Sequence, residues 1–154
     1  MSGAGKAAGE GPVERFGGDE ETTRASPVQR LGGDPPSPYE EQFGFSRIVV
    51  AGDYVLVGGM TSVDPCGAVL GITGYEQTIE ILRKLQHELG RVGCGLDAIV
   101  QTRVYVTDIS RGEEVGRAFS DVLGFARPLM TMVEVAGLID PRMLVEVETV
   151  AFRG

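Results

Sequence analysis

The sequence predicts an α+β fold in which two helices cover one face of a mixed β-sheet. Three observations carry that expectation. Ala51-Gly52-Asp53 separates two β-rich runs, and two later segments open at the spacing of helix capping boxes. Pro128 to Phe152 then holds two alternating runs, LMTMVEVA and LVEVETVAF, around a turn-rich LIDPRM. The resulting order is β-β-α-β-α-β-β, which leaves one sheet face without a helical cover.

Residues 1 to 36 are rich in Gly, Ser, Pro and charge, and five of the chain's 8 prolines precede Tyr39. Such composition buries too little apolar surface to offset its ordering entropy, so a disordered tail is expected there, compatible with a short docked segment at Val28 to Leu31. The folded domain is expected over residues 37–154. FSRIVVAGDYVLVGGM supplies the first two strands as a hairpin, and Gly58-Gly59 closes the second. Adjacent glycines there fit a bulge or a close approach to the backbone. Asp64-Pro65-Cys66-Gly67 is a turn.

Thr73-Gly74-Tyr75-Glu76 opens the first helix as a capping box. Tyr75, Ile79, Leu82, Leu85, Leu89 and Val92 follow at steps of three and four and predict its buried stripe. Gly90 and Gly93 mark its end. His87, the one histidine, falls away from that stripe and is read as a solvated surface residue.

From Leu96 to Thr107 the chain alternates. Val100, Thr102, Val104 and Val106 suit packing under the helix, whereas Ile99, Gln101, Arg103 and Tyr105 suit a subunit interface or a cleft wall. Ser110-Arg111-Gly112-Glu113 has the spacing of a second capping box, and Val115, Phe119 and Val122 give a short amphipathic helix closed by Gly124. The two final alternating runs read as strands joined by a tight connection. Glu134, Glu146 and Glu148 stand inside them, and by parity are expected with Arg103 and Tyr105 on the uncovered face. A half-polar sheet face in so small a domain predicts self-association.

At 154 residues the chain is long enough for one domain with its own core. A formal net charge of −8 argues against a nucleic-acid surface, which needs clustered Lys and Arg. No apolar run approaches the ~20 residues of a membrane span, and the N-terminus lacks the apolar core of a signal peptide. Two cysteines, Cys66 and Cys94, are too few for a disulfide framework or a zinc site. The expectation is a cytoplasmic protein that uses no metal or cofactor and contacts neither nucleic acid nor membrane.

PLMTMVEVAGL…LVEVETVAF, VYVTDI before the second helix and VLVGGMTSVDPCGAV together resemble the RidA/YjgF family, also known as L-PSP endoribonucleases and reactive-intermediate deaminases. The resemblance covers Ser37 to Phe152. It implies a chorismate-mutase-like fold and a homotrimer whose sheets form a central barrel, with ligand sites in clefts between subunits. It also implies hydrolysis of enamines and imines to 2-oxo acids and ammonia. Carried over by position, the water-orienting glutamate is Glu146, the backbone pair is Gly58 and Gly59, and the aromatic wall is Phe45, where a tyrosine is usual. Thr131 takes the small polar position and Met132 that of a frequent cysteine. The family's carboxylate-gripping arginine falls on Met130, which carries no charge.

That departure implies an arginine-lacking branch that acts on a less acidic or differently anchored small-molecule substrate, by hydrolysis or by tautomerisation, with Arg103 or Arg47 as the available cations. Glu146 is then the catalytic candidate, and Phe45, Gly58, Gly59, Met130, Thr131, Met132 and Arg103 are the substrate-binding candidates. The competing reading is a ligand-binding or regulatory trimer without turnover, in which glutamates pair with Arg103 or Arg142. A ribonuclease is disfavoured by the acidic charge and by the absence of a histidine in a site-like position.

Overall fold

A computed structural model describes residues 28–154. The greater part of the expected disordered tail, residues 1–27, lies outside the described residues. Six strands form one sheet in the order β1-β2-β3-β6-β4-β5. They are β1 (Gln29–Leu31), β2 (Ile48–Ala51), β3 (Tyr54–Met60), β4 (Ile99–Val106), β5 (Leu129–Glu134) and β6 (Val145–Phe152), with helices α1 (Pro38–Phe43), α2 (Gly74–Gly90) and α3 (Gly112–Leu123) between them. All neighbours are antiparallel except β4 and β5.

The ordered chain begins earlier than residue 37. Gln29, Arg30 and Leu31 pair with Val50, Val49 and Ile48, so the docked-segment alternative at Val28 to Leu31 describes this edge. The segment is held by buried Glu40 of α1, which accepts from the Gly33 and Ser37 amides at 3.0 Å each. Glu88 of α2 accepts from the Asp34 amide at 2.9 Å. α1 itself follows from Ser37-Pro38-Tyr39-Glu40, a capping box with proline in the first turn. That signal was present in the sequence and absent from the expected element order.

The final two strands differ most from expectation. β5 and β6 do not pair with each other; they flank β4 on opposite sides. The residues between them cross an end of β4, and β6 fills the gap between β3 and β4. β6 alternates as its sequence suggests, with Val145, Val147, Thr149 and Ala151 buried beneath the helices.

α2 opens at the expected capping box, with Thr73 and Glu76 making reciprocal bonds. Its buried face is rotated from the expected stripe. Ile81, Leu82, Leu85 and Leu89 reach the core, while Tyr75 and Ile79 stay half-buried. Gln77 takes the inner position instead, 1% exposed, donating to the Gly71 and Arg142 carbonyls at 3.2 and 2.9 Å and accepting from the Leu144 amide at 2.8 Å. A polar residue thereby ties the β5–β6 connection to the helix.

Ser110 does not cap α3. Asp108 accepts from both its amide and its hydroxyl, and a 3₁₀ turn over Ile109–Arg111 precedes the helix, whose own N-cap, Arg111, makes no side-chain capping bond. Val115, Phe119 and Leu123 bury its inner face, with Val122 half-buried and Gly124 at the C-cap. In β4 a register shift between Ile99 and Gln101 inverts the expected parity at that end. Ile99 is buried and Val100 exposed, while Thr102, Val104 and Val106 keep their places in the core.

Candidate functional site

The uncovered sheet face carries the polar group of interest. Glu146 and Glu148 alternate with the buried residues of β6 and therefore point away from the helices. Tyr105 stands opposite Glu146 and Arg103 opposite Glu148 across β4. Arg103 and Glu148 form an ion pair, and that bond holds the guanidinium above its ordinary pKa. Arg142, the other cation considered for the glutamates, pairs with Asp140. Burial raises the Tyr105 phenol, with the Glu148 carboxylate adding to the effect.

On the other flank, the β3–β6 register shifts between Val57 and Met60, so Gly58 and Gly59 form the irregularity the adjacent glycines suggested. The close-approach reading also holds. A Cβ on Gly59 would stand 3.0 Å from Glu146 Cδ and 3.3 Å from Cγ, so the glutamate packs onto bare backbone. Its carboxylate is half-buried, and burial raises its pKa; Arg47 opposes that rise, and Glu148 adds to it. A carboxyl whose pKa is raised by burial, in a place only glycine leaves open, is suited to act as a proton-exchanging group.

Arg47 precedes β2. Nη1 donates to the Gly59 carbonyl, and the guanidinium lies 5.8 Å above the Phe45 ring. Nε is 3.8 Å from Glu40 Oε1. The loop after the glycines is held by Lys84 of α2, whose Nζ donates to the Thr61 and Val63 carbonyls at 2.7 Å each. Burial pulls that ammonium's pKa down, and Arg47 adds to the shift. A depression of about 270 Å³ lies on this face, lined by Ser46, Arg47, Gly58, Gln101, Arg103 and Glu148 among others.

Phe45, Gly58, Gly59, Arg103 and Glu146 are thus gathered on one side of the chain. Thr131 joins the same face, opposite Arg103 on the edge strand β5. Met130 and Met132 stand opposite Thr102 and Val104, so they share the helix-side face, and Met132 Sδ would lie 3.2 Å from a Cβ on Gly112. One chain does not bring these methionines to Glu146. Glu134, expected on the uncovered face, also lies on the helix side, opposite Val106, and accepts from the Ile109 amide at 2.8 Å. Parity carried across a hairpin fails here because β5 is joined to the sheet through β4. Glu40 was not singled out from the sequence; its signal was the box that begins at Ser37.

His87 is exposed on α2, with Nε2 3.4 Å from Asp34 Oδ2, remote from this group. Cys66 is exposed and Cys94 buried, both as free thiols. Among the described residues no group of three His, Cys, Asp or Glu could hold a metal ion, and no helix is long and apolar enough to cross a membrane.

The family profile described as endoribonuclease L-PSP matches residues 38–153. The chain belongs to the RidA/YjgF family. It is 39% identical to an uncharacterized protein of Streptomyces coelicolor over 120 residues, covering 77% of this chain and 88% of that one. A RutC family protein of Saccharolobus solfataricus is 32% identical over 109 residues, covering 70% and 85%. The crystal structure of a YjgF family member from Mycobacterium tuberculosis superposes with a TM-score of 0.72 at 38% identity, over 82% of this chain and 99% of that one. A Rid family protein of unknown function from Yersinia pestis gives the same TM-score at 22% identity, a likeness of fold, over 82% and 99%. These likenesses establish the RidA-type α+β fold.

Proposed function

We propose that this RidA-family chain is a cytoplasmic enzyme that hydrolyses small enamines or imines, with Glu146 as the proton-transferring group. The observation that carries the reading is the seating of Glu146 on the Gly59 backbone, half-buried and with a raised pKa. In the reaction, water adds to the imine carbon as Glu146 accepts its proton. That proton passes to nitrogen to give the amino alcohol; Glu146 then takes the hydroxyl proton and delivers it to the same nitrogen, so that the carbon–nitrogen bond breaks and ammonia leaves as the carbonyl forms. Imine and water thereby give ketone and ammonia, with no redox change and no further reactant. The backbone of Gly58 and Gly59 and the side chain of Thr131 would orient the substrate.

Self-association completes the site in this reading. The uncovered face carries Tyr54, Leu56 and Phe152 exposed beside the charged group, a surface suited to a homotrimeric interface. A second subunit would present the Met130–Met132 edge of its β5 to the Glu146 group of the first, forming the intersubunit cleft. A non-catalytic ligand-binding trimer is the competing reading, and the uncharged Met130 is what favours it.

One experiment separates the two. An amino-acid oxidase generates imines in the presence of the purified protein, and ammonia release is followed. Acceleration over buffer that disappears in Glu146→Ala, with the assembly mass unchanged by light scattering, supports catalysis. No acceleration by the unaltered protein rejects it.

A further inference from the structure

Glu146 packs on Gly59, yet the sheet alone does not hold Gly59 in place. The β3–β6 register slips between Val57 and Met60, and a slipped stretch lacks the regular cross-strand bonds that fix its neighbours. Beyond Met60 the chain bonds to its own turn: the Leu70 amide donates to the Ser62 carbonyl at 3.0 Å and the Asp64 amide to the Ala68 carbonyl at 2.8 Å. Ser62 is wholly buried, and among the described residues its hydroxyl has no partner. Two cations supply the missing hold by taking alternate carbonyls. Arg47 takes that of Gly59, and the Lys84 ammonium takes those of Thr61 and Val63 together. Charge-assisted bonds of this kind are about twice as strong as neutral ones.

Lys84 stands in the middle of α2, where Ile81, Leu82 and Leu85 anchor the helix in the core, so the grip comes from a rigid element. Its position is electrostatically costly. Burial opposes the half-buried ammonium, and Arg47 and Arg83 oppose it further. Glu80 and Glu88, one turn to either side, favour it, but each is already paired, with Arg83 and Arg91.

We propose that Lys84 is a positioning residue for the Glu146 group: gripping the Thr61 and Val63 carbonyls from the helix side, it holds the irregular end of β3 so that the bare Gly59 backbone stays against the carboxylate. The inference rests on the reading that Glu146 transfers the proton, and it adds a group that touches no substrate. The link runs through the backbone. The charges that shift Glu146 are Arg47 and Glu148, and Lys84 is not among them. Burial is the larger cause of the raised Glu146 pKa, so a loosened seat that admits water lowers it toward the ordinary glutamate range. Loss of a nearby positive charge would do the opposite.

The test compares Lys84→Met, which keeps the side chain's length and helix propensity, with the unaltered full chain. Carbon-13 NMR of glutamate-labelled protein follows the Glu146 carboxyl, assigned by its loss in Glu146→Gln. Its titration midpoint is expected to move down in Lys84→Met. For imine generated by an amino-acid oxidase, kcat of ammonia release should fall about 10- to 100-fold while KM stays within about twofold, because the reacting group is displaced. Arg83→Met, which removes an exposed cation one residue away on the same helix, should change neither readout. A midpoint that stays or rises in folded Lys84→Met overturns the proposal, as does an unchanged kcat. If Lys84→Met fails to fold, Lys84→Gln decides, since it keeps a donor without the charge; there too an unmoved or raised midpoint overturns it. The titration separates this inference from the reading beneath it. No ammonia release by the unaltered protein removes the hydrolase, and a lowered midpoint then still supports the positioning; release at full kcat in Lys84→Met keeps the hydrolase and removes the positioning.

Discussion

Substituting Gly59 with alanine tests the seat of Glu146 with one methyl group. The residue is not among the glycines of positive φ, so alanine meets no backbone strain. Its Cβ would, however, stand 3.0 Å from Glu146 Cδ, where carbon–carbon contacts settle at roughly 3.5–4.0 Å. Glu146 Oε1 lies closer still and would overlap the methyl, so the carboxyl group must retreat by about 1 Å or more, which its rotatable side chain can do at little cost to folding. A misplacement of about 1 Å in a reacting group costs on the order of 10²-fold in rate, so kcat/KM for imine hydrolysis should fall about 10- to 100-fold. Gly58→Ala is the steric comparison: the nearest atoms there are the Arg47 and Ser46 carbonyl oxygens at 3.6 and 3.8 Å, ordinary contacts, and thermal stability should be unchanged. The assay couples oxidase-generated imine to ammonia detection, with melting curves run alongside. Gly59→Ala at full activity, with Glu146→Gln inactive, would refute the claim that the backbone contact positions the carboxylate.

Three further outcomes follow from the same contacts. Gln77→Leu keeps the volume but strands the Arg142 carbonyl and the Leu144 amide; a loss of about 3 kcal/mol is expected by urea denaturation, and a loss under 1 kcal/mol would remove its role as a tie. Glu40→Ala should speed amide exchange selectively at Gly33 and Ser37, whose donors it accepts, with α2 amides unaffected. Because the folded-state pKa of Glu146 is raised, the folded chain holds that proton more tightly than the unfolded chain. Its stabilising contribution is present below the unfolded value and is lost as pH rises through the folded one, so Glu146→Gln should flatten the stability profile across that window. The same substitution should abolish a rate limb that lies above the usual carboxylate range.

Much of this architecture could be read from residue order. Thr73 and Glu76 announce α2, alternation announces β4 and β6, and paired glycines announce the irregularity where Glu146 packs. What could not be read was which strand pairs with which. Two alternating runs separated by a turn-rich stretch look alike whether they form a hairpin or straddle a third strand, because local pattern records burial and not partnership. The placement of Glu134 failed for that reason, since its side follows from β4 in parallel register. Helix faces were blurred by polar residues that the core accepts once they are bonded; Gln77 looks like a surface residue until its three partners are seen. Arg47 and Phe45 could be named as candidates, yet nothing local showed that the guanidinium would sit between the Phe45 ring, the Gly59 carbonyl and Glu40.

The central position of β6 has a consequence for how the molecule is made. β3 and β4 belong to one sheet only through a strand synthesised after both, so two half-sheets with open edges exist until that strand arrives. Contacts between distant parts of a chain form slowly, and unpaired strand edges invite association with other chains. A nascent or truncated chain stopping before Val145 would expose both edges at once. The strand that carries Glu146 therefore also closes the sheet, so the Glu146 group is assembled only in a chain whose sheet is complete.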